Sequence, residues 1–397
     1  MSMRICLVTP GILPVPATKG GAIETLAMSL VKQNEIQQRM DLTVTSIADP
    51  QAEAIARQYS HTEFRFFKPA AALPDALYHY WQAIFKRIFP HSHLISSLYY
   101  RSVLNSIRRE HFDVVVFEGG ESRGFTAYDK AFHGKLWYHV HANPTDPTES
   151  AYFDNVMVLS GFVMKNWRQL CSDKTQNLMV LPNGVNTELF KKALDIDPTQ
   201  AKARFGYTTD DVVVLYCGRI SSEKGVKQLV EAMKLIANAN VKLMVIGKAD
   251  PFPESQRYFE EVKTLARSVT HRITFVGYVP NNQLAEYYAA ADMQVIPSQW
   301  EEGAGNVCIE GMAAGKPIIA SNCGGIPEYV DDDCALLIDR GSAYIDDLAK
   351  AIQTLASDRE RRIRMSEHGR IRAEAFSERR YYDNYADCIE GVMHNGI

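Results

Sequence analysis

Short apolar runs rich in Val and Ile alternate with helical patterns along the whole chain, and this alternation constrains the fold more than any other feature. In the first half the runs fall at Ile5–Thr9, Leu42–Ile47, Phe64–Phe67, Val114–Phe117, Leu136–His139 and Val156–Leu159. In the second they fall at Val212–Cys217, Lys242–Ile246, Ile273–Val276, Met293–Ile296, Pro317–Ala320 and Ala335–Ile338. Many are apolar throughout, as strands covered on both faces are. Helical patterns such as Ala22–Lys32, Val226–Ile236 and Leu284–Ala291 separate them. Repeated strand–helix order predicts parallel sheets with right-handed crossovers. The two series predict an α/β chain of two Rossmann-like, doubly wound domains.

A length of 397 residues allows each domain its own core. The break is expected near Leu181-Pro182-Asn183-Gly184-Val185, where Pro and Asn-Gly punctuate the chain. That gives an N-terminal domain over 1–183, a C-terminal domain over 184–375 and a tail over 376–397. The tail carries a tyrosine-bearing helical pattern from Phe376 to Val392 with no strand after it to serve, so it is expected to pack back on the N-terminal domain. Ligands of open parallel sheets lie beyond the carboxyl ends of the strands. With two such domains facing each other, the expected site is the cleft between them.

Other features narrow the function class. A net charge of −4 gives no reason to expect nucleic acid as a partner. The seven cysteines show no metal-site spacing and read as small buried hydrophobes in a reducing compartment. The N-terminus runs straight into a strand, and no apolar run is long enough to span a bilayer. A cytoplasmic protein is expected, with peripheral contact at the inner membrane face left open by one stretch. From Trp81 to Arg109, aromatics (Trp81, Phe85, Phe89, Tyr99, Tyr100) mix with Lys86, Arg87, Arg101, Arg108 and Arg109, a composition that suits anionic head groups. Core-packing helices with solvated basic faces explain it somewhat better.

The richest chemistry lies at Glu302-Gly303-Ala304-Gly305-Asn306-Val307-Cys308-Ile309-Glu310. A strand, a glycine turn and a helix start would present free backbone N–H groups and two carboxylates to one ligand. Such a site suits phosphates together with hydroxyls, the two halves of a nucleotide sugar. In the same domain, Gly218-Arg219 follows a strand and Lys224, before Gly225, is expected at the start of the next helix. Arg offers a planar fork and Lys a point charge, and together they suit a diphosphate. Alone, two solvated loop charges would be the better reading. Lys19-Gly20-Gly21 stands between the first strand and helix, where paired glycines let backbone approach a phosphate; an ordinary helix entry reads almost as well.

In Tyr138-His139-Val140-His141, strand alternation points both histidines the same way. His141, nearer the carboxyl end, is placed to bond a sugar hydroxyl, whereas His139 reads as packed at the strand end. No further ligand cluster at usual spacing suggests zinc. Glu118, in Glu118-Gly119-Gly120-Glu121, reads as an acceptor contact or a cap. Gly324-Gly325-Ile326-Pro327-Glu328 reads as a turn into a short helix, and Asn183-Gly184 as linker geometry.

Together these motifs resemble the retaining GT-B glycosyltransferases of family 4. Gly218-Arg219 with Lys224-Gly225, the glutamate pair, Gly315-Lys316-Pro317 and Gly324-Gly325-Ile326-Pro327-Glu328 occur in the family's order, and the likeness is strongest from Asn183 to Val330. The resemblance implies that Arg219 and Lys224 neutralise the donor diphosphate and that Glu310 binds the ribose. It implies that Glu302, with N–H groups from Gly303, Ala304, Gly305, Asn306 and Val307, holds the transferred sugar. It further implies that Gly20 and Gly21 touch the phosphate and that His141 is the active-site histidine.

The implied donor is a nucleotide diphosphate sugar, UDP or GDP rather than ADP, used without metal or other cofactor. The implied acceptor is a hydroxyl, with a lipid-linked saccharide suited to the aromatic and basic stretch and glycoconjugate or polysaccharide synthesis as the setting. Ala304 stands where an aromatic is common, Gly311 where alanine is, Gly161 where an acid often follows Ser160, and Asn186 where aspartate is frequent. Two rival readings are a nucleotide-sugar epimerase of similar build, which would change the donor's stereochemistry without an acceptor, and a non-catalytic carbohydrate-binding protein.

Overall fold

The computed structural model describes residues 2–68, 84, 87–88, 98–120, 125–145, 152–171, 176–269 and 272–395. The chain divides into two compact units, Met1–Pro182 with Tyr381–Ile397, and Asn183–Arg380.

The first unit holds a seven-stranded parallel sheet in the order β3-β2-β1-β4-β5-β6-β7. Its strands are β1 (Met3–Val8), β2 (Met40–Ile47), β3 (Thr62–Phe67), β4 (Val114–Glu118), β5 (Leu136–Val140), β6 (Asn155–Val158) and β7 (Asn177–Val180). Every residue of β4, β5 and β6 is buried, which is why those runs lack polar alternation. The edge strand β7 was not anticipated from sequence: it spans four residues, half-exposed or exposed, and carries no β-rich signal of its own.

The second unit holds a six-stranded parallel sheet in the order β10-β9-β8-β11-β12-β13. Its strands are β8 (Val212–Cys217), β9 (Val241–Ile246), β10 (Ile273–Gly277), β11 (Met293–Ile296), β12 (Ile318–Ser321) and β13 (Ala335–Ile338). In both sheets the order reverses beside the first strand, between β1 and β4 and between β8 and β11. Loops leaving such neighbours turn to opposite faces and open a crevice at their carboxyl ends.

Local signals set several helix limits. Helix Ala22–Gln37 runs five residues beyond the expected Lys32, where the buried Asn34 folds its amide onto Met40 N and O. Ser160 caps helix Gly161–Leu170 through Val163 N, and Asn186 caps Thr187–Lys191 through Leu189 N, so an amide serves there as well as a carboxylate would.

Helix Glu378–Asn395 closes the chain. Tyr381, Tyr382, Tyr385, Ala386 and Ile389 bury into one core with Ile5, Leu7, Leu30, Val114 and Val116 of the first unit. Tyr382 donates to Asn34 Oδ1 at 2.6 Å, and Arg39 reaches Asp387 and Glu390. Phe376, just before the helix, stacks on Tyr329 of the second unit instead.

Tyr99 and Tyr100 are buried in helix Leu98–Ile107, and Tyr99 bonds Thr9 and Thr45. Those two aromatics are core residues rather than surface anchors, while Arg101, Arg108 and Arg109 are exposed. Trp81, Phe85, Lys86 and Phe89 lie outside the described residues, as does Glu121. Among the described residues, no helix is long and apolar enough to cross a membrane. All seven cysteines are free thiols.

Candidate active site

In the second unit, residues from the ends of β8 and β11 and from the start of helix Asn306–Ala313 enclose a cavity of about 290 Å³. Arg219, Lys224, Glu302, Ala304, Gly305, Asn306 and Val307 all line it. The sequence motifs at 218–225 and 302–307 thus converge because β8 and β11 are neighbours at the reversal point of the sheet.

Lys224 ends a 3-10 turn, Ser222–Lys224, rather than opening the helix, which begins at Val226. Its ammonium lies 2.6 Å from Glu302 Oε1, and Ser298 Oγ donates to the same oxygen at 2.6 Å. The pair is mostly buried, with side chains 26% and 17% exposed. Arg219 is 59% exposed and reaches Asp250 at 3.4 Å. The two cations therefore differ: Lys224 is fixed by its neighbours, whereas Arg219 is an exposed arm with a weak surface partner.

Remote backbone fixes the glutamate turn. Gly324 N donates to Glu301 Oε2 at 2.6 Å, and Gly325 N to Glu302 O at 2.7 Å. A Cβ at Gly324 would overlap the backbone of Glu302, and its φ of +55 also favours glycine. The 324–328 segment is the expected turn into a short helix, Ile326–Tyr329, and it also braces the glutamate loop. Asn183 also does more than link: its amide donates to Asn306 Oδ1 at 3.1 Å, and its N–H to the Tyr329 hydroxyl at 3.2 Å. It ties the first residue of the site's helix to the unit's opening segment.

Glu310 sits one turn into that helix and is half-buried; neither it nor Gly303 lines the cavity as described. Burial pushes its carboxyl up to about 7, against a Tyr288 hydroxyl that favours the ionised form. Tyr288 in turn accepts from the buried Gln294 amide at 3.2 Å. The Gln294 side chain fills the space where a Cβ on Gly311 would stand, which accounts for glycine at 311.

Gly20, Gly21 and His141 belong to the first unit. Gly21 precedes helix Ala22–Gln37, and the buried carboxyl of Glu24 folds over it, raised from its ordinary range by desolvation. Lys19 pairs with Asp49 at 3.0 Å. His141 follows β5, and its ring approaches Gly119, beside Ile23 at the start of the same helix. The loops after β1, β4 and β5 therefore meet at one end of the sheet.

Glu118 neither caps a loop nor offers itself to an acceptor, contrary to expectation. It is 2% exposed, and it accepts from His139 Nδ1 and His141 Nε2, each at 2.8 Å, and from the Tyr385 hydroxyl at 2.9 Å. The ligand-type atoms of Glu118, His139 and His141 lie within 4.8 Å of one another. Local spacing hid this cluster, because β4, β5 and the C-terminal helix each supply a part.

Comparison with known proteins agrees with the geometry. Residues 198–372 match the family model described as "Glycosyl transferases group 1". The chain is 26% identical over 338 residues to the lipopolysaccharide 1,2-N-acetylglucosaminetransferase of Salmonella typhimurium, covering 83% of this chain and 82% of that one. It is 29% identical over 203 residues to a GDP-mannose-dependent phosphatidylinositol monomannoside mannosyltransferase of Corynebacterium glutamicum, covering 49% and 51%. Among solved structures, Anabaena HepE in complex with UDP-glucose aligns over 98% of this chain and all of its own, with a TM-score of 0.72 and 19% identity. The chain has the GT-B fold of these structures, and its residues 198–372 are similar to the glycosyl transferases group 1 family.

Proposed function

We propose that the protein transfers a sugar from a nucleotide diphosphate sugar to a hydroxyl acceptor, with retention at the anomeric carbon. The observation that carries this reading is the second unit's cavity, where Lys224, Glu302 and the free N–H groups at the start of helix Asn306–Ala313 converge. The names of the relatives and the UDP-glucose in the HepE structure support it.

In this reading Lys224 and Arg219 stabilise charge building on the leaving diphosphate. Glu302, its charge balanced by Lys224, accepts hydroxyls of the transferred sugar. Glu310 accepts the ribose hydroxyls. The Gly20–Gly21 loop and His141 of the first unit serve the same reaction, His141 accepting a sugar hydroxyl. The two carboxylates bind separate hydroxyl groups and do not form a glycosidase pair. The acceptor's proton passes to a donor phosphate oxygen during front-face attack, so no protein nucleophile is required. The two cations stand in for a metal at the diphosphate. UDP and GDP remain the favoured nucleotides, since one relative is GDP-mannose-dependent and one structural neighbour holds UDP-glucose. A lipid-linked saccharide is the proposed acceptor class, with the inner membrane face as its setting.

A panel of UDP-, GDP- and ADP-sugars read by thermal shift tests the donor, since a ligand bound only by the folded state raises its melting temperature. Release of nucleoside diphosphate with acceptor, and anomeric configuration of the product by NMR, test the transfer. Stabilisation by none of the panel would end the reading. Change of donor stereochemistry without acceptor would favour an epimerase, and binding with no release across many acceptors a carbohydrate-binding protein.

The raised carboxyl of Glu310 adds a pH prediction. Ribose hydroxyls donate to the ionised form, so nucleotide affinity should rise with pH through about 7 and then level off. Binding below that point should release a proton, seen by calorimetry in buffers of different ionisation enthalpy. Stability runs the other way: the folded state holds this proton more tightly than the unfolded chain, so the Glu310 contribution falls as pH rises from the ordinary carboxyl range to about 7. Glu310→Gln should flatten both profiles; an affinity that stays pH-dependent in that variant assigns the titration elsewhere.

A further inference from the structure

We propose that Glu118 is the positioning residue of His141, fixing which ring nitrogen carries the proton, and that Tyr385 of the C-terminal helix holds Glu118 in place. The inference rests on the role of His141 in the transfer reading above.

β4 and β5 are adjacent, and Glu118 stands in register with His139. Alternation brings His139 and His141 to the same side, with ring centroids 4.1 Å apart. One carboxylate oxygen, Oε2, accepts from both rings, and the other accepts from Tyr385. An ionised carboxylate can only accept, so each facing nitrogen must carry its hydrogen. His139 is then the Nδ1–H tautomer. His141 is the Nε2–H tautomer, which leaves its lone pair on Nδ1. That lone pair is what a sugar hydroxyl needs as its acceptor, and the opposite tautomer would present a competing donor.

The electrostatics agree. Burial opposes a charge on Glu118, but the hydrogen bonds from His139 and His141 favour it, and the carboxyl lies well below its usual range. Burial pushes His141 down to about 4, against the Glu118 hydrogen bond. His141 is therefore neutral near pH 7 and keeps the lone pair free.

The same three side chains could instead gather around a metal ion. Hydrogen bonding accounts better for the geometry: both nitrogens stand at ordinary donor distance from one oxygen, and the Tyr385 hydroxyl already occupies the second. His139 Nε2 has no hydrogen-bond partner among the described residues, as the unprotonated nitrogen of an Nδ1–H ring packed in a core would.

The test uses the full chain labelled with 15N-histidine. Two-bond proton–nitrogen spectra report each ring's tautomer, and His141→Gln identifies the His141 signals. The expected wild-type pattern is Nε2–H with an unprotonated Nδ1. Glu118→Gln should lose that pattern and lower kcat on the order of 100-fold, the cost of a misplaced reacting group, while affinity for UDP, held by the second unit, stays unchanged. Tyr385→Phe removes only a hydroxyl and should lower kcat by a smaller factor.

An Nδ1–H tautomer at His141 in the wild type would overturn the proposal, as would metal bound at one equivalent by elemental analysis. A folded Glu118→Gln with unaltered tautomer and kcat would also overturn it. If Glu118→Gln does not fold, the wild-type tautomer and Tyr385→Phe decide. The tautomer is read without turnover, so an inactive wild type that binds no nucleotide would sink the transfer reading and leave this result standing by itself.

Discussion

Lys224→Ala should lower kcat for sugar transfer by about two to three orders of magnitude, the usual cost of removing one preorganised group from a developing anion. Lys224 is held by Glu302 at 2.6 Å and is mostly buried, so its charge acts in a medium of low polarity and needs little rearrangement when the diphosphate departs. The substitution also leaves the Glu302 carboxylate with the Ser298 hydroxyl but without its balancing ammonium, where the sugar should bind. Both effects act on the same step.

Arg219 gives the contrast that makes the claim specific. It is exposed and its contact with Asp250 is long, so Arg219→Ala should cost distinctly less than Lys224→Ala. Steady-state kinetics with the donor found in the panel measure both. Turnover of Lys224→Ala within about twofold of wild type would remove the cavity from the argument.

Gly225→Ala should be the most damaging single methyl group in the second unit. Gly225 has φ +70, and a Cβ would overlap the carbonyl of Pro297 at the end of β11. Neither side can yield cheaply. Gln299 N donates to Glu223 O at 2.7 Å, and the Gln299 amide donates to Pro297 O at 2.8 Å, so the two loops are already stitched together. Left-handed strain and backbone overlap together should cost about 3 kcal/mol. In a unit of this size that is roughly 6–12 °C in melting temperature. Because the same contact sets Lys224 beside Glu302, affinity for the nucleotide should fall with stability. A shift below about 2 °C with unchanged affinity would show that the close approach does not hold the site.

These predictions mark where sequence reading succeeded and where it stopped. The strand–helix alternation reported parallel sheets because a strand buried on both faces is mostly apolar along its length, as β4, β5 and β6 are apart from Glu118, His139 and Asn155. The edge strand β7 escaped because it is short and only partly buried. In the cavity, Arg219, Lys224, Glu302 and the residues from Ala304 to Val307 were legible, since each motif sits at a strand end followed by a turn. The reasons for Gly225, Gly311 and Gly324 were not, since each glycine is required by an atom far along the chain: the Pro297 carbonyl, the Gln294 amide and the Glu302 backbone.

The sequence alone determined the local chemistry: which runs become strands, where chains turn, and which charged groups stand beside free N–H groups. Burial periodicity and turn residues act over a few positions, so neighbours in sequence suffice to read them. Only the tertiary structure decided that Lys224 neutralises Glu302, that Gly324 braces its loop, and that Glu118 gathers His139, His141 and Tyr385. Those contacts join residues from 21 to 267 positions apart. The order of strands in each sheet creates them, and the spacing of residues along the chain carries no record of that order.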